Sequence, residues 1–436
     1  MKRYLCTAKL RNERFGGIVN PKNGSSYIVS KKTFLILKYM TYNSIDIDNS
    51  EDIIFKKYGY QRVINFLEFH NNLGSVEVVN NEYYHLDDNN TIGENENYEN
   101  KWLSYPLWVN IIPFYICNQK CPFCLVGSVE RQNADKYPER WFKDVIQMSI
   151  QNNVIGINLL GGEPFLRVEW IKYLLNKCKN RLKVIISTNG NFNMELIDEV
   201  FTDEVDLKNV EIAVSLHGSS SNAHDYIINK SGAFNNVISN IKYMILKSIC
   251  VSIHTVPTNE NIESLFELPK LCEKIGVHSL NLMECRGLGK ESPNHNIRYT
   301  ELLDFYKNYN SSKLIISFSD SFNLINEKQL TKFGDIIPRC AAGSFSICVV
   351  PGGDIYPCPF GTSSVDFKIG SIYDKFEKWW YSEKWDDFRY LNIDKIENSD
   401  CKKCRDKTIC LGGCPVSSYL DTNSFWGGDI SCPKIK

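Results

Sequence analysis

Eleven of the sixteen cysteines fall in two parts of the chain, and thiols grouped in this way must close around something. Cys117, Cys121 and Cys124 form one group, spaced C-x3-C-x2-C. Cys340, Cys348, Cys358, Cys401, Cys404, Cys410, Cys414 and Cys432 form the other. The remaining five (Cys6, Cys178, Cys250, Cys272, Cys285) are scattered, often in apolar surroundings such as SIC or KLC, and read as small buried hydrophobes. The opening MKRYLCTAKLRNERF has neither the long apolar stretch nor the small-residue cleavage site of a secretory signal. No later run approaches the roughly 20 apolar residues of a membrane helix. A cytoplasmic protein with no membrane partner is therefore expected. In that compartment a disulfide framework is disfavoured, and clustered thiols point to metal. Lys and Arg (50) balance Asp and Glu (51), which gives no support to a nucleic-acid partner.

A length of 436 residues predicts two or three domains, with 43% apolar residues to fill them. Residues 1–79 read as a winged-helix-like domain. ERFGGIVN and SYIVS are strand candidates joined through Pro21-Lys22-Asn23-Gly24. Ser30 caps a following helix with Phe34, Ile36, Leu37 and Met40 near one face. Two further helical stretches lie around EDIIFKKYG and QRVINFLEFHNNLG. Residues 80–101, rich in Asn, Asp and Glu, read as a linker. Over residues 102–323 six apolar runs (LWVNIIPF, VIGINLLG, KVIISTNG, VEIAVSLHG, CVSIHTVP, VHSLNLME) alternate with helical patterns. That alternation predicts an α/β domain with a parallel sheet, and six units fit a partial βα barrel. In such sheets chemistry gathers at the carboxyl ends of the strands. Residues 324–436 are rich in Cys, Gly, Pro and Trp and have little periodicity, as a segment folded around metal should.

The first cysteine group follows directly on the first apolar run. Three thiolates from one loop can hold three corners of an iron–sulfur cubane and leave the fourth iron without a protein ligand. Zinc is the alternative, but structural zinc takes four closed ligands and no nearby Cys or His supplies a fourth. Phe123, just before the third cysteine, suits a site that excludes water.

C-x3-C-x2-C with an aromatic before the last cysteine, at the end of the first strand of a six-fold βα pattern, resembles the radical S-adenosylmethionine (radical SAM) superfamily. Further matches arrive in that family's order. Gly161-Gly162-Glu163-Pro164 resembles its GGEP motif, where exposed carbonyls and a carboxylate would accept from the SAM ammonium. Ser187-Thr188-Asn189-Gly190 resembles the strand end whose polar side chains meet the SAM ribose, with Ser187 and Asn189 as candidates. Ser215-Leu216-His217-Gly218 resembles SLDG, with His217 in place of the usual Asp. Lys230 sits near where relatives carry an Arg for the SAM carboxylate. The resemblance implies that the cluster binds SAM and cleaves it to a 5′-deoxyadenosyl radical. An external electron donor such as flavodoxin or ferredoxin would drive that cleavage.

In the tail, Cys401-x2-Cys404-x5-Cys410-x3-Cys414 can hold metal from successive turns, and alone it would also suit a zinc ribbon. With Cys340, Gly353, Cys358 and Cys432 it resembles the seven-cysteine SPASM extension, which implies two auxiliary [4Fe-4S] clusters and three in all. By that resemblance Cys340, Cys358 and Cys414 hold the first auxiliary cluster, and Cys401, Cys404, Cys410 and Cys432 the second. Cys348 is either a fourth ligand of the first or a strand residue. If it is not a ligand, an open iron is left for a substrate thiolate.

Residues 1–79 resemble the RiPP recognition element, to which a leader peptide adds as a further strand. Together the resemblances imply a radical SAM peptide maturase. It would install a thioether or carbon–carbon cross-link in a ribosomally made precursor peptide by hydrogen abstraction. A sulfatase-maturing oxidase is the rival; such relatives carry an Asp after the second SPASM cysteine, whereas Pro359 follows Cys358 here. A non-catalytic iron–sulfur or zinc scaffold is a third reading, and it would have no use for the GGEP and SLHG turns.

Overall fold

A computed structural model of the chain describes residues 3–6, 9–13, 16–20, 27–42, 45–47, 55–56, 60–73, 75–79, 103–125, 137–179, 181–285, 297–318, 340–389, 392–405, 407–410, 412–429 and 432. They divide into two compact units. One holds residues up to 105 with the short pieces 150–155 and 180–182; the other holds the rest. The turn at 21–24, most of EDIIFKKYG and the linker at 80–101 lie outside the described residues.

In the amino-terminal unit, β2 (Lys9–Glu13), β3 (Gly16–Asn20) and β4 (Tyr27–Ser30) form an antiparallel sheet. Ser30 Oγ accepts the Thr33 N–H at 3.2 Å and starts α1 (Lys31–Tyr42), which is the expected cap. Phe34, Leu37 and Met40 of α1 are buried with Val63 and Leu67 of α2 (Tyr60–Asn72). A second three-stranded sheet was not foreseen. It sets β1 (Arg3–Cys6) between β5 (Ile45–Asp46) and β6 (Val76–Val79). Its strands are two to four residues long, too short for an alternation pattern to register.

In the second unit, β7 (Trp108–Ile111), β8 (Gly156–Leu159), β9 (Lys183–Thr188), β10 (Val210–Ser215), β11 (Cys250–Thr255) and β12 (Ser279–Leu282) are the six expected strands. They pair in parallel, in chain order. A seventh parallel strand, β13 (Ile315–Phe318), continues the sheet. Its sequence signal is weak because it is four residues long and its edge position leaves Ile315 55% exposed. Among the helices between these strands are α3 (Arg140–Gln151), α4 (Val168–Cys178), α5 (Glu195–Val200), α6 (Ser221–Ile228) and α7 (Ala233–Leu246). Alternation divides each strand between two environments. Val184, Ile186, Ile212, Val214, Val251, Ile253, Leu280 and Leu282 are buried. The other face carries Asn110, Asn158, Ser187, Ser215, His254, Asn281 and Ser317, so this inner face is polar.

The cysteine-rich part does not stand apart from this sheet. β14 (Ser346–Val350) pairs in parallel with β7 and extends the sheet on that side. β15 (Asp354–Tyr356) and β16 (Gly370–Ser371) then add antiparallel. Asn110 fastens the join: its Nδ2 donates to the Ile347 carbonyl at 3.0 Å, and its Oδ1 accepts from Asn158 at 2.8 Å. Among the described residues no helix is long and apolar enough to cross a membrane.

Candidate functional site

The Cys117–Cys124 loop leaves the carboxyl end of β7, the end at which a parallel sheet places its chemistry. The Cys124 N–H donates to the Cys121 carbonyl at 3.1 Å, a turn that gathers the thiols. They feel one another. Cys121 is pushed up to about 12, first by burial and then by repulsion from Cys124 and Cys117. Burial likewise raises Cys117. Thiols in such surroundings keep their protons until a metal cation inverts the balance. Gln119 Oε1 faces Cys121 Sγ at 3.7 Å, while its Nε2 is buried with no partner among the described residues. Three thiols and a spare amide donor suit a thiolate-bound, electron-rich group with one corner left open.

The GGEP loop leaves β8 and is pressed against the same segment. The Gly162 N–H donates to the Phe114 carbonyl at 3.0 Å, and the Glu163 N–H to the Ile116 carbonyl at 2.8 Å. A Cβ on Gly162 would run into the Ile116 carbonyl, and one on Gly161 (φ +120°) would come within 2.9 Å of the Phe114 carbonyl. These glycines admit the chain's own backbone, the strand exit that leads to Cys117. Pro164 is buried at the first position of a 3-10 turn. The Glu163 side chain is fully buried. Its Oε1 accepts from the Phe165 N–H at 3.0 Å and from Thr188 Oγ1 at 2.7 Å; its Oε2 accepts from the Asn189 N–H at 2.7 Å. Burial still pushes the carboxyl up to about 7 against those hydrogen bonds. The carboxylate thus ties the GGEP loop to the end of β9.

Asn189 carries the tie on to the cysteines. Its Nδ2 donates to Asn118 Oδ1 at 2.7 Å and faces Cys117 Sγ at 3.6 Å. Lys230 arrives from the turn between α6 and α7 and donates to the Asn118 carbonyl at 3.1 Å. Ser187 and Ser215 lie on the polar inner face at the ends of β9 and β10, half-buried. His217 is buried edge-on to Phe123, ring centroids 4.8 Å apart. Its Nδ1 accepts the Val256 N–H at 3.2 Å and its backbone N–H donates to His224 Nδ1 at 3.0 Å. Burial, with His224 and His254 nearby, lowers His217 to about 3, so the ring is neutral with its proton on Nε2. It packs the cysteine loop from one side.

On the inner face a cavity of about 390 Å³ opens among Lys183, Glu211, His254, Asn281 and Ser317. The Lys183–Glu211 ion pair, 2.8 Å apart, lines it, and burial lowers His254 to about 4.

In the tail, Cys401, Cys404, Cys410 and Cys432 fall in one neighbourhood. Burial raises Cys401 to about 11, with Cys432 and Cys404 adding to it; burial raises Cys410 to about 12, with Cys432 and Cys401 adding. Asn398 Oδ1 caps the Cys401 turn at 3.1 Å. Cys340 and Cys358 each face a following backbone N–H, Ala342 at 3.5 Å and Gly361 at 3.4 Å. Cys414 begins the helix Pro415–Thr422. Gly353 (φ +87°) makes the turn from β14 to β15 three residues before Tyr356 and five before Cys358. Cys348 lies within β14, wholly buried, in register with Asn110 and Tyr356. Among the described residues no three His, Cys, Asp or Glu side chains converge as they would around a single ion. A cubane takes one thiolate per iron, so its sulfurs surround a larger body.

Several participants carried no motif. Asp429 is buried; it accepts from the Cys414 N–H at 2.8 Å and from Ser417 Oγ at 2.9 Å, and its carbonyl accepts the Cys432 N–H at 2.9 Å. Its place three residues before Cys432 was the available signal. Arg389, also buried, donates to the Gly343 carbonyl at 2.6 Å and lies over Trp380 at 4.4 Å and Trp385 at 5.3 Å. Asn118 was visible only as a polar residue inside the cysteine motif.

Comparison with known proteins agrees with this geometry. The sequence profile of the radical SAM superfamily matches residues 111–272, and that of the SPASM iron–sulfur cluster-binding domain matches residues 340–405. The mycofactocin maturase MftC of Mycobacterium tuberculosis is 24% identical over 328 residues, 73% of this chain and 80% of that protein. The antilisterial bacteriocin subtilosin biosynthesis protein AlbA of Bacillus subtilis is 24% identical over 265 residues, 60% of this chain and 56% of that one. The crystal structure of Streptococcus suis SuiB bound to its precursor peptide SuiA aligns over 99% of this chain and 100% of that one, with 21% identity and a TM-score of 0.72. The chain carries a radical SAM domain over residues 111–272 and a SPASM iron–sulfur cluster-binding domain over residues 340–405.

Proposed function

We propose that this enzyme matures a ribosomally made precursor peptide by installing an intramolecular thioether or carbon–carbon cross-link. The observation that carries the reading is the end-to-end likeness to SuiB, which extends through the amino-terminal unit and is absent from a bare radical SAM core. That SuiB was crystallised with a precursor peptide, and that MftC and AlbA are named for maturation and bacteriocin biosynthesis, support a peptide substrate. The β2–β3–β4 sheet has β2 and β4 at its edges, and an edge strand is what a leader peptide needs for strand addition. Pro359 after Cys358, where a sulfatase-maturing enzyme would carry an Asp, argues against that rival.

In this reading Cys117, Cys121 and Cys124 hold the SAM-binding cluster. Cys340, Cys358 and Cys414 hold one auxiliary cluster, and Cys401, Cys404, Cys410 and Cys432 the other. The buried mid-strand place of Cys348 favours a strand residue over a ligand. Bound SAM and its cluster supply hydrogen-atom abstraction from carbon. The protein's part is to orient and to keep dry. Backbone groups at Gly161–Pro164, with Ser187, Ser215 and Lys230, line the SAM side; the Glu163 carboxylate acts from beneath, on the chain itself. Phe123 and His217 shield the cysteine loop. An external donor provides electrons.

The test is anaerobic incubation of the reconstituted enzyme with SAM, reductant and the short peptide encoded beside it, read by tandem mass spectrometry. A peptide lighter by two hydrogens, with fragmentation blocked between two joined residues, is expected. A Ser or Cys converted to formylglycine, or no mass change with any encoded leader-bearing peptide, would overturn the reading.

A further inference from the structure

Asn189 is set more tightly than a ribose-contacting side chain needs to be. Both hydrogens of its amide have acceptors, Asn118 Oδ1 at 2.7 Å and Cys117 Sγ at 3.6 Å, and its Oδ1 accepts the Asn191 N–H at 2.8 Å. Both amide hydrogens are thereby used, and a single lone pair of Oδ1 is left over for a ligand. Its backbone N–H is held by Glu163 Oε2 at 2.7 Å, and the neighbouring Thr188 hydroxyl by Glu163 Oε1 at 2.7 Å. Asn118 is fixed in turn: its Nδ2 donates to the Asn191 carbonyl at 2.8 Å, and its own carbonyl receives Lys230 Nζ at 3.1 Å. A buried carboxylate, two strand ends and a lysine thus converge on keeping one neutral amide beside one sulfur.

Hydrogen bonds to the sulfurs are among the features that set an iron–sulfur cluster's reduction potential, because a donor stabilises the more electron-rich state. We propose that Asn189 is a positioning residue that raises the reduction potential of the first cluster through its hydrogen bond to Cys117, with Glu163 as the brace that holds it there. The proposal rests on Cys117 being a cluster ligand, and it goes beyond the peptide reading. It gives Asn189 a partner besides the SAM ribose to which the motif resemblance assigns it.

The experiment is a potentiometric titration of the reconstituted full chain, followed by electron paramagnetic resonance. The component whose signal changes on adding SAM identifies the first cluster. Asn189→Ala should shift that component to lower potential, with iron and sulfide per chain and the auxiliary signals unchanged. Asn118→Ala, which loosens the amide but leaves it present, should shift it in the same direction by less. An unshifted potential in an iron-replete Asn189→Ala protein overturns the proposal. If Asn189→Ala does not hold the first cluster, an unshifted potential in Asn118→Ala overturns it instead. A shifted potential with no peptide modified counts against the peptide reading alone.

Discussion

The two cysteine-bearing regions are built in opposite ways. The first hangs one loop from strand ends and braces it with polar contacts: Glu163, Asn189, Asn118 and Lys230. The second braces its cysteines with a packed aromatic body. Trp379, Trp380, Trp385 and Phe388 are buried edge to face, Arg389 lies over Trp380 and Trp385, and Asp429 holds the last turns. A barrel lends the first site a rigid frame, so a few directional bonds suffice. The tail has little regular structure and must make its frame from side chains, as small metal-bearing segments do.

The contrast can be broken at Gly162 and Arg389. Gly162→Ala would drive a methyl into the Ile116 carbonyl and push away the strand exit before Cys117. It should abolish SAM cleavage and remove about a third of the iron, one of the three proposed clusters, while the tail's iron remains. Arg389→Leu should do the reverse. It leaves the Gly343 carbonyl unpaired, at a cost of about 1–3 kcal/mol, and withdraws the cation stacked between Trp380 and Trp385. Auxiliary iron should fall and thermal stability drop, with the first cluster kept. Iron analysis and calorimetry on both variants check the pair. Loss of all iron in either would show that the two regions fold as one metal-dependent body.

A smaller effect sharpens the polar side of the comparison. Burial lowers His224 to about 4, against 6.5 for the ordinary ring. A depressed histidine contributes stability that is fully present above pH 6.5 and lost as pH falls toward 4. The loss should be roughly 3 kcal/mol at most. Denaturant titrations at successive pH values should show it, and His224→Leu should flatten the slope in that window. An unchanged slope would mean that another group sets the acid limit.

How legible each region was follows from the same contrast. Cysteine spacing and the GGEP, STNG and SLHG turns are local patterns, and the sequence carries them openly. The six strands were legible as well, since each is an apolar run ending in a turn. Harder to see were contacts between distant segments. The Asn110–Ile347 bond joins strands 237 residues apart and brings β14 into the barrel sheet. Arg389 finds Gly343, and Asp429 finds Cys414, with no periodicity to announce either. The GGEP resemblance located the loop, but it could not say that Glu163 points inward, because the carboxylate's partners are on a different strand.

The central claim is that ten cysteines hold three [4Fe-4S] clusters, the first of them at Cys117, Cys121 and Cys124. It is tested most directly by iron and acid-labile sulfide analysis of the anaerobically reconstituted chain, beside a variant with those three cysteines changed to Ala. Roughly 12 irons and as many sulfides per chain are predicted, falling by about a third in the variant, with all SAM cleavage lost. A protein that holds zinc without sulfide, or a variant that keeps its full iron, would contradict the account.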